Sequence, residues 1–196
     1  MPPEAHETQT DEALAAAVTQ DPHAFVVLIR RYESRLLSYV RRLGGLTHED
    51  GEDVLQEAFM DAYRHIAEFD PSLKFSSWMY RIAHNRTVSA LRKRHRSVND
   101  VSIHDEDAGL DRILASELQT DRHAESKLTS DAVRRVLDTL PERDRAVLLL
   151  AYADEKSYQE ISDILQAPMG TVATWIRRAK HKFENAARAL PLSHEV

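Results

Sequence analysis

Apolar residues recur at steps of three and four along most of the chain, and no stretch alternates as a strand does, so the pattern predicts an all-α protein. A short helix is expected near 11–19. Asp21-Pro22 then reads as a cap followed by proline in the first helical turn. Phe25, Leu28, Ile29, Tyr32, Leu36, Leu37, Val40 and Leu43 mark one face of the helix that follows, and Gly44-Gly45 ends it. Thr47, with Asp50 three residues on, opens the next helix, whose apolar face is Val54, Leu55, Ala58, Phe59, Ala62, Tyr63 and Ile66. It stops near Asp70-Pro71. After the loop PSLKFSS, a third long helix is expected from about Ser77 to Arg96.

The pattern weakens over residues 98–127, which carry acids and no aromatic residue and read as a flexible linker. It resumes near Ser130 with Val133, Val136, Leu137 and Leu140 on one face, and Pro141 opens the nearly all-apolar helix PERDRAVLLLAY. Ser157 and Glu160 form an S-x-x-E capping box, QAPM supplies a turn, and Val172, Ile176, Ala179 and Phe183 define the buried stripe of a final helix. The expected layout is a leader over 1–21, a helical domain over 22–97, the linker over 98–127, a four-helix domain with a helix-turn-helix over 128–187, and a tail over 188–196. The leader is expected to be disordered. A linker of that length could reach about 100 Å if extended, so the two domains need not touch.

Charge changes this picture. The net charge of −6 is unevenly spread: 1–24 hold five acids and no Lys or Arg, and 98–127 hold eight acids against three bases. Residues 86–96 hold five Lys/Arg and no acid, and 171–183 hold four and no acid. Two local basic patches on an acidic chain point to local grips on a polyanion. Arg81, Asn85, Ser89, Arg92 and Arg96 fall on one side of the third long helix. On the last helix, Gly170, Thr174, Arg177, Arg178 and His181 point away from the buried stripe, with Lys180 and Lys182 placed to hold phosphates. A short helix, a tight turn and a longer helix with a basic outer face suit insertion into a major groove. The same face also suits a solvated three-helix bundle.

EDVLQEAFMDAY (52–63), FSSWMYRIAHNRTVSALRKRHR (75–96), LPERDRAVLLLAY (140–152) and SYQEISDILQAPMGTVATWIRRAKHKF (157–183) together resemble the extracytoplasmic-function sigma factors of bacterial RNA polymerase. The resemblance covers roughly 22–97 and 128–187. It implies that Asp53, Gln56 and Glu57 dock on the coiled coil of the polymerase's largest subunit, with Phe59 packing inside, and that core polymerase is also met at its flap. It implies that the segment 70–96 opens and reads the minus-ten element. Lys74, Ser76 and Tyr80 are then candidates for a base pocket, and Arg81, Asn85, Arg92, Lys93 and Arg96 for strand and phosphate contacts. Trp78 and Phe75 fit core packing as well as base stacking. It implies a minus-thirty-five contact set of Thr171, Thr174, Arg177, Arg178 and Lys182, promoter DNA as ligand and an anti-sigma factor as partner.

The chain departs from the family at Ala173 and Trp175, where members often carry cations, and at Gln166, where glycine is frequent. Trp175 is expected at the boundary of the buried face, and the acidic linker to lie in a basic channel of the polymerase. No cofactor or metal is implied. The ten histidines are scattered, and HExxH, a phosphate-cradling glycine loop and a nucleophile motif are all missing, which argues against an enzyme. No cysteine is present for disulfides or thiolate sites, and no apolar run reaches the roughly 20 residues of a spanning helix. The start MPPEAHETQTDE lacks the marks of a signal peptide, so a cytoplasmic location is expected. The alternative reading is a helix-turn-helix repressor or activator that binds duplex DNA without polymerase.

Overall fold

The computed structural model describes residues 8–101 and 124–189, and side chains over 8–94 and 131–189. Eight α-helices carry the fold and no strand occurs among the described residues. They are α1 (Asp11–Ala17), α2 (His23–Gly44), α3 (His48–His65), α4 (Phe75–Val101), α5 (Ala124–Asp138), α6 (Glu142–Leu148), α7 (Tyr158–Leu165) and α8 (Met169–Ala189). A 3-10 turn follows α3, and a π turn over Leu149–Ala153 extends α6.

Helices α2, α3 and α4 form the first domain. Leu28, Leu36, Val40 and Leu43 of α2 meet Leu55, Ala58 and Ala62 of α3 and Phe75, Met79 and Ala83 of α4, all buried. The alanines let α3 approach closely. Gly51 does so further, since a Cβ there would lie 2.6 Å from Arg41 Cγ of α2. The predicted punctuation is present: Asp21 Oδ1 accepts from the His23 N–H, Gly45 closes α2 at φ 58°, and Thr47 Oγ1 accepts from the Asp50 N–H at 3.1 Å.

The disordered leader is not what the structure shows from residue 10 onward. Thr10 caps α1, whose Leu14 and Ala15, with Val18, are buried against the bundle. The Arg31 guanidinium pairs with Asp11 at 2.6 Å, the Tyr32 hydroxyl donates to the same carboxylate, and Glu12 accepts from the Phe75 N–H at 3.0 Å. Glu12 thus answers an orphan donor at the start of α4. Acids that read as a solvated leader are ligands of α2 and α4.

Helices α5 to α8 form the second domain. Its α7 opens with the full capping box, Ser157 Oγ accepting from Glu160 N–H and Glu160 accepting from Ser157 N–H. Val172, Ile176 and Ala179 of α8 are buried as the spacing predicts, and Phe183 sits at the edge. Gln166 closes α7 at φ 51°, a left-handed conformation that glycine adopts without strain.

Two expectations are revised. Helix α4 runs on to Val101 and α5 begins at Ala124, so regular structure enters both ends of the predicted linker. The domains, free to stay apart, are packed together: α7 lies on α4, α6 and the π turn lie on α2, and one apolar core runs through both. A long linker permits separation, but it offers no resistance to a favourable contact either.

Candidate polymerase and nucleic-acid interfaces

Three surfaces collect the predicted site residues. On α3, Asp53, Gln56 and Glu57 are exposed on successive turns, while Phe59 is half-buried against the core. Of the three only Gln56 lines the groove of about 670 Å³ between α2 and α3, beside the acids Glu33 and Glu52; it is floored by Phe25, Ile29, Leu55 and Phe59 and closed by Met60 and Tyr63. Met60 and Tyr63 are 44% and 47% exposed, large for apolar side chains. Tyr63 was expected in the core; it stands instead at the groove, edge-on to Phe25 at 5.2 Å between centroids. Glu57 also lies 3.7 Å from Arg86 of α4, whose guanidinium pairs with Asp61 as well.

The second surface is α4 with the loop before it. Asn85, Arg92 and Lys93 are exposed and Arg81 is half-buried, so the described part of the stripe is real, while the side chain of Arg96 lies outside the described residues. Asn85 and Trp78 line a smaller hollow of about 240 Å³ between α3 and α4. Trp78 is half-buried at 5.4 Å from Phe69 and 5.6 Å from Phe75, and Phe75 is fully in the core.

The predicted base-pocket residues are brought together, but against the other domain. Tyr80 is 1% exposed, and its hydroxyl donates to Asp154 Oδ1 at 2.7 Å. Lys156 Nζ lies 4.5 Å from the Tyr80 ring centroid and 3.4 Å from Ser76 Oγ. Lys74 Nζ pairs with Glu160 Oε1 at 3.2 Å. Burial raises the Asp154 carboxyl above its ordinary range against the hydrogen bond from Tyr80 and the charges of Lys156, Arg42 and Arg35. Burial likewise lowers Lys156, with Glu160 and Asp154 opposing. Glu160 goes the other way: desolvation works against its charge, but hydrogen bonds from Ser157 and Lys74 and the charge of Lys156 bring it down to about 2. Beneath this surface, His84 shares a 2.9 Å hydrogen bond with the buried Tyr39, and burial lowers its imidazole to about 4.

The third surface is the outer side of α8. Arg177 and Arg178 are exposed and adjacent, and Thr171 and Thr174 are half-buried, Thr174 Oγ1 donating to Gly170 O at 3.0 Å. Lys182 points back: its ammonium pairs with Asp144 of α6, a carboxylate only 2% exposed. Trp175 is the half-buried boundary residue its position predicts, and the Arg143 guanidinium from α6 stands 4.9 Å over its ring. Arg143 was not a predicted site residue. Its signal in the sequence is an exposed cation in the first turn of α6, which identifies a surface residue but not the helix it would reach.

Among the described residues no group of His, Asp or Glu is arranged to hold a metal, and no helix is long and apolar enough to cross a membrane.

Two family matches divide the chain at the same places as the fold. Residues 28–97 match Sigma-70 region 2 and residues 130–183 match Sigma-70, region 4. Over 176 residues the chain is 35% identical to the ECF RNA polymerase sigma factor SigW of Bacillus subtilis, covering 87% of this chain and 92% of that one. It is 34% identical to the ECF RNA polymerase sigma-E factor of Haemophilus influenzae, covering 94% and 98%. Among solved structures, CnrH in complex with the cytosolic domain of CnrY aligns at a TM-score of 0.67 and 24% identity, over 92% of this chain and 99% of that one. The sigma factor RpoE in complex with the anti-sigma factor NepR, from Bartonella quintana, aligns at 0.64 and 21%, over 84% and 96%. At those identities the two structures speak for the fold.

Proposed function

The chain belongs to the extracytoplasmic-function sigma factors of bacterial RNA polymerase, and on that premise we propose how its surfaces divide the work of initiation. It binds core polymerase, directs it to a promoter and takes part in melting the DNA. The chemistry of RNA synthesis belongs to the polymerase, and we read no catalysis in this chain. It acts where the chromosome is, in the cytoplasm.

Docking falls to the α2–α3 face. A groove with an apolar floor and the groups Glu33, Glu52 and Gln56 on its lining, with Asp53 and Glu57 exposed on α3, suits a partner helix with apolar anchors and cationic flanks. That juxtaposition is the observation that carries the reading, because a repressor working on duplex DNA alone has no use for it. Minus-ten recognition falls to α4, with Arg81, Asn85, Arg92 and Lys93 along the strand and Lys74, Ser76 and Tyr80 at its head. Arg96 belongs to the same proposed set, its side chain lying outside the described residues. Minus-thirty-five recognition falls to α8 through Thr171, Thr174, Arg177 and Arg178. Lys182 acts there by holding α8 to α6 through Asp144. The flap of the polymerase is the second domain's partner, and an anti-sigma factor is the regulator, in keeping with the complex with the anti-sigma factor NepR in which RpoE was solved. The linker's place in the polymerase channel concerns residues outside those described.

Run-off transcription with core polymerase and a promoter library, with and without the protein, tests this. Protein-dependent starts that share two spaced upstream elements are expected. Polymerase-independent retention of a palindromic duplex, with no such starts, would support the repressor instead.

A further inference from the structure

We propose that the second domain is the first ligand of the minus-ten surface: Asp154, Lys156 and Glu160 latch onto Tyr80, Ser76 and Lys74, and the free protein stores this surface shut. The inference rests on the assignment of the head of α4 to promoter DNA.

The three contacts stand in for those a nucleic acid would make. The Glu160 carboxylate occupies the Lys74 ammonium as a phosphate would. Asp154 takes the Tyr80 hydroxyl, and the Lys156 ammonium covers the face of the Tyr80 ring, where a base would stack. Tyr80 is 1% exposed, so no base reaches it while the domains are closed. A fourth contact lies away from this surface: the Arg145 guanidinium donates to Leu43 O, at the end of α2, at 3.1 Å. It shows that closure is a domain-wide packing and not one side-chain encounter.

The latch is built to release. Its groups are polar and partly desolvated, with burial working against the charge on both Asp154 and Lys156. Opening returns them to water and frees Tyr80, so the desolvation of these groups offsets part of what the apolar packing between the domains contributes to closure. A competent fraction of about one in ten weakens apparent affinity about tenfold, which a partner that binds only the open form recovers. Polymerase, engaging both domains at once, is such a partner.

The test compares Asp154→Arg with Glu155→Arg in the full-length protein. The first places a cation among Arg35, Arg42 and Lys156; the second adds the same charge one residue on, at an exposed position outside the latch. With a fluorescent pool of randomised 12-nucleotide single-stranded DNA as probe, Asp154→Arg is expected to bind about tenfold more tightly than Glu155→Arg, with a larger radius of gyration in solution scattering. Equal affinities despite the larger radius overturn the proposal.

If Asp154→Arg stays compact, a lock decides. The chain has no cysteine, so Leu73→Cys and Gln159→Cys, each next to a member of the Lys74–Glu160 pair, can be bridged by a bismaleimide. Bridged protein should lose pool binding and run-off activity, while each single cysteine capped by a monofunctional maleimide keeps both. A bridged protein as active as the capped ones overturns the latch. Run-off activity of the wild type, measured alongside, separates the two ideas: without it the sigma reading fails whatever the latch does, and with it a flat affinity comparison removes the latch alone.

Discussion

The two DNA-facing helices of this protein are both long, basic and amphipathic, yet they are presented differently. The outer side of α8 is open, with Arg177 and Arg178 exposed side by side. The head of α4 is covered, with Tyr80 buried beneath the other domain. The difference teaches that a basic stripe on a helical wheel locates a reading surface but not its availability. Availability depends on contacts between residues some 74 to 86 positions apart in the chain, as with Tyr80–Asp154 and Lys74–Glu160.

The largest effect that could break the comparison is on the open face. Arg177→Ala with Arg178→Ala should lower run-off from promoters that need the upstream element about 100-fold, each lost contact costing about 1–3 kcal/mol, and leave the protein folded. Unchanged transcription would mean that the open helix reads nothing.

Next comes Lys182, the cation of α8 that does not face outwards. Lys182→Ala leaves the buried Asp144 without its ammonium, and unfolding of the full chain should become easier by about 2–3 kcal/mol, less than a fully buried pair because Lys182 is 49% exposed on its side chain. Urea titration reads this. A loss of DNA affinity at constant stability would restore Lys182 to the contact set.

Under the covered surface, His84 makes stability depend on pH. Its folded value of about 4 lies below the ordinary 6.5, so the fold favours the neutral ring. The stabilisation is complete above about pH 6.5 and is lost as pH falls towards 4, because the unfolded chain takes up the proton first. Urea melts at pH 7 and pH 5 should differ by about 2 kcal/mol on this account, and His84→Gln should remove that difference.

The smallest effect sharpens the turn that aims α8. Gln166 holds φ 51°, and Gln166→Gly should relieve that strain for a net gain of about 0.5–1 kcal/mol, seen as a higher melting temperature.

Local physics made much of this legible in advance. The capping box at Ser157, the Thr47 cap, the glycine end of α2, the buried stripe of α8 and the boundary place of Trp175 follow from spacing and cap chemistry, and the structure has them. Helix α1 was read as a short helix, but its docking was not, because Asp11 and Glu12 read as solvated until Arg31, Tyr32 and the Phe75 N–H are brought to them by the fold. The same holds for Tyr63 at the groove and for Arg143 over Trp175. Each depends on which helix comes to lie opposite, and a single chain's periodicity says which face is buried without saying what buries it.

The π turn at Leu149–Ala153 gives this dependence a local form. It holds its wider ring with hydrogen bonds such as Asp154 N–H to Leu149 O at 3.0 Å and delivers Asp154 and Lys156 to α4. A π turn amounts to one residue inserted in a helix, and each helical residue turns the chain by about 100°. Because the extra residue is taken up within one wide turn, the helical turns before it keep their phase, and the aim of Asp154 and Lys156 at Tyr80 is set by how that turn closes and not by the rotation of a regular helix. A junction between the two halves can thus lengthen by one residue without losing its direction.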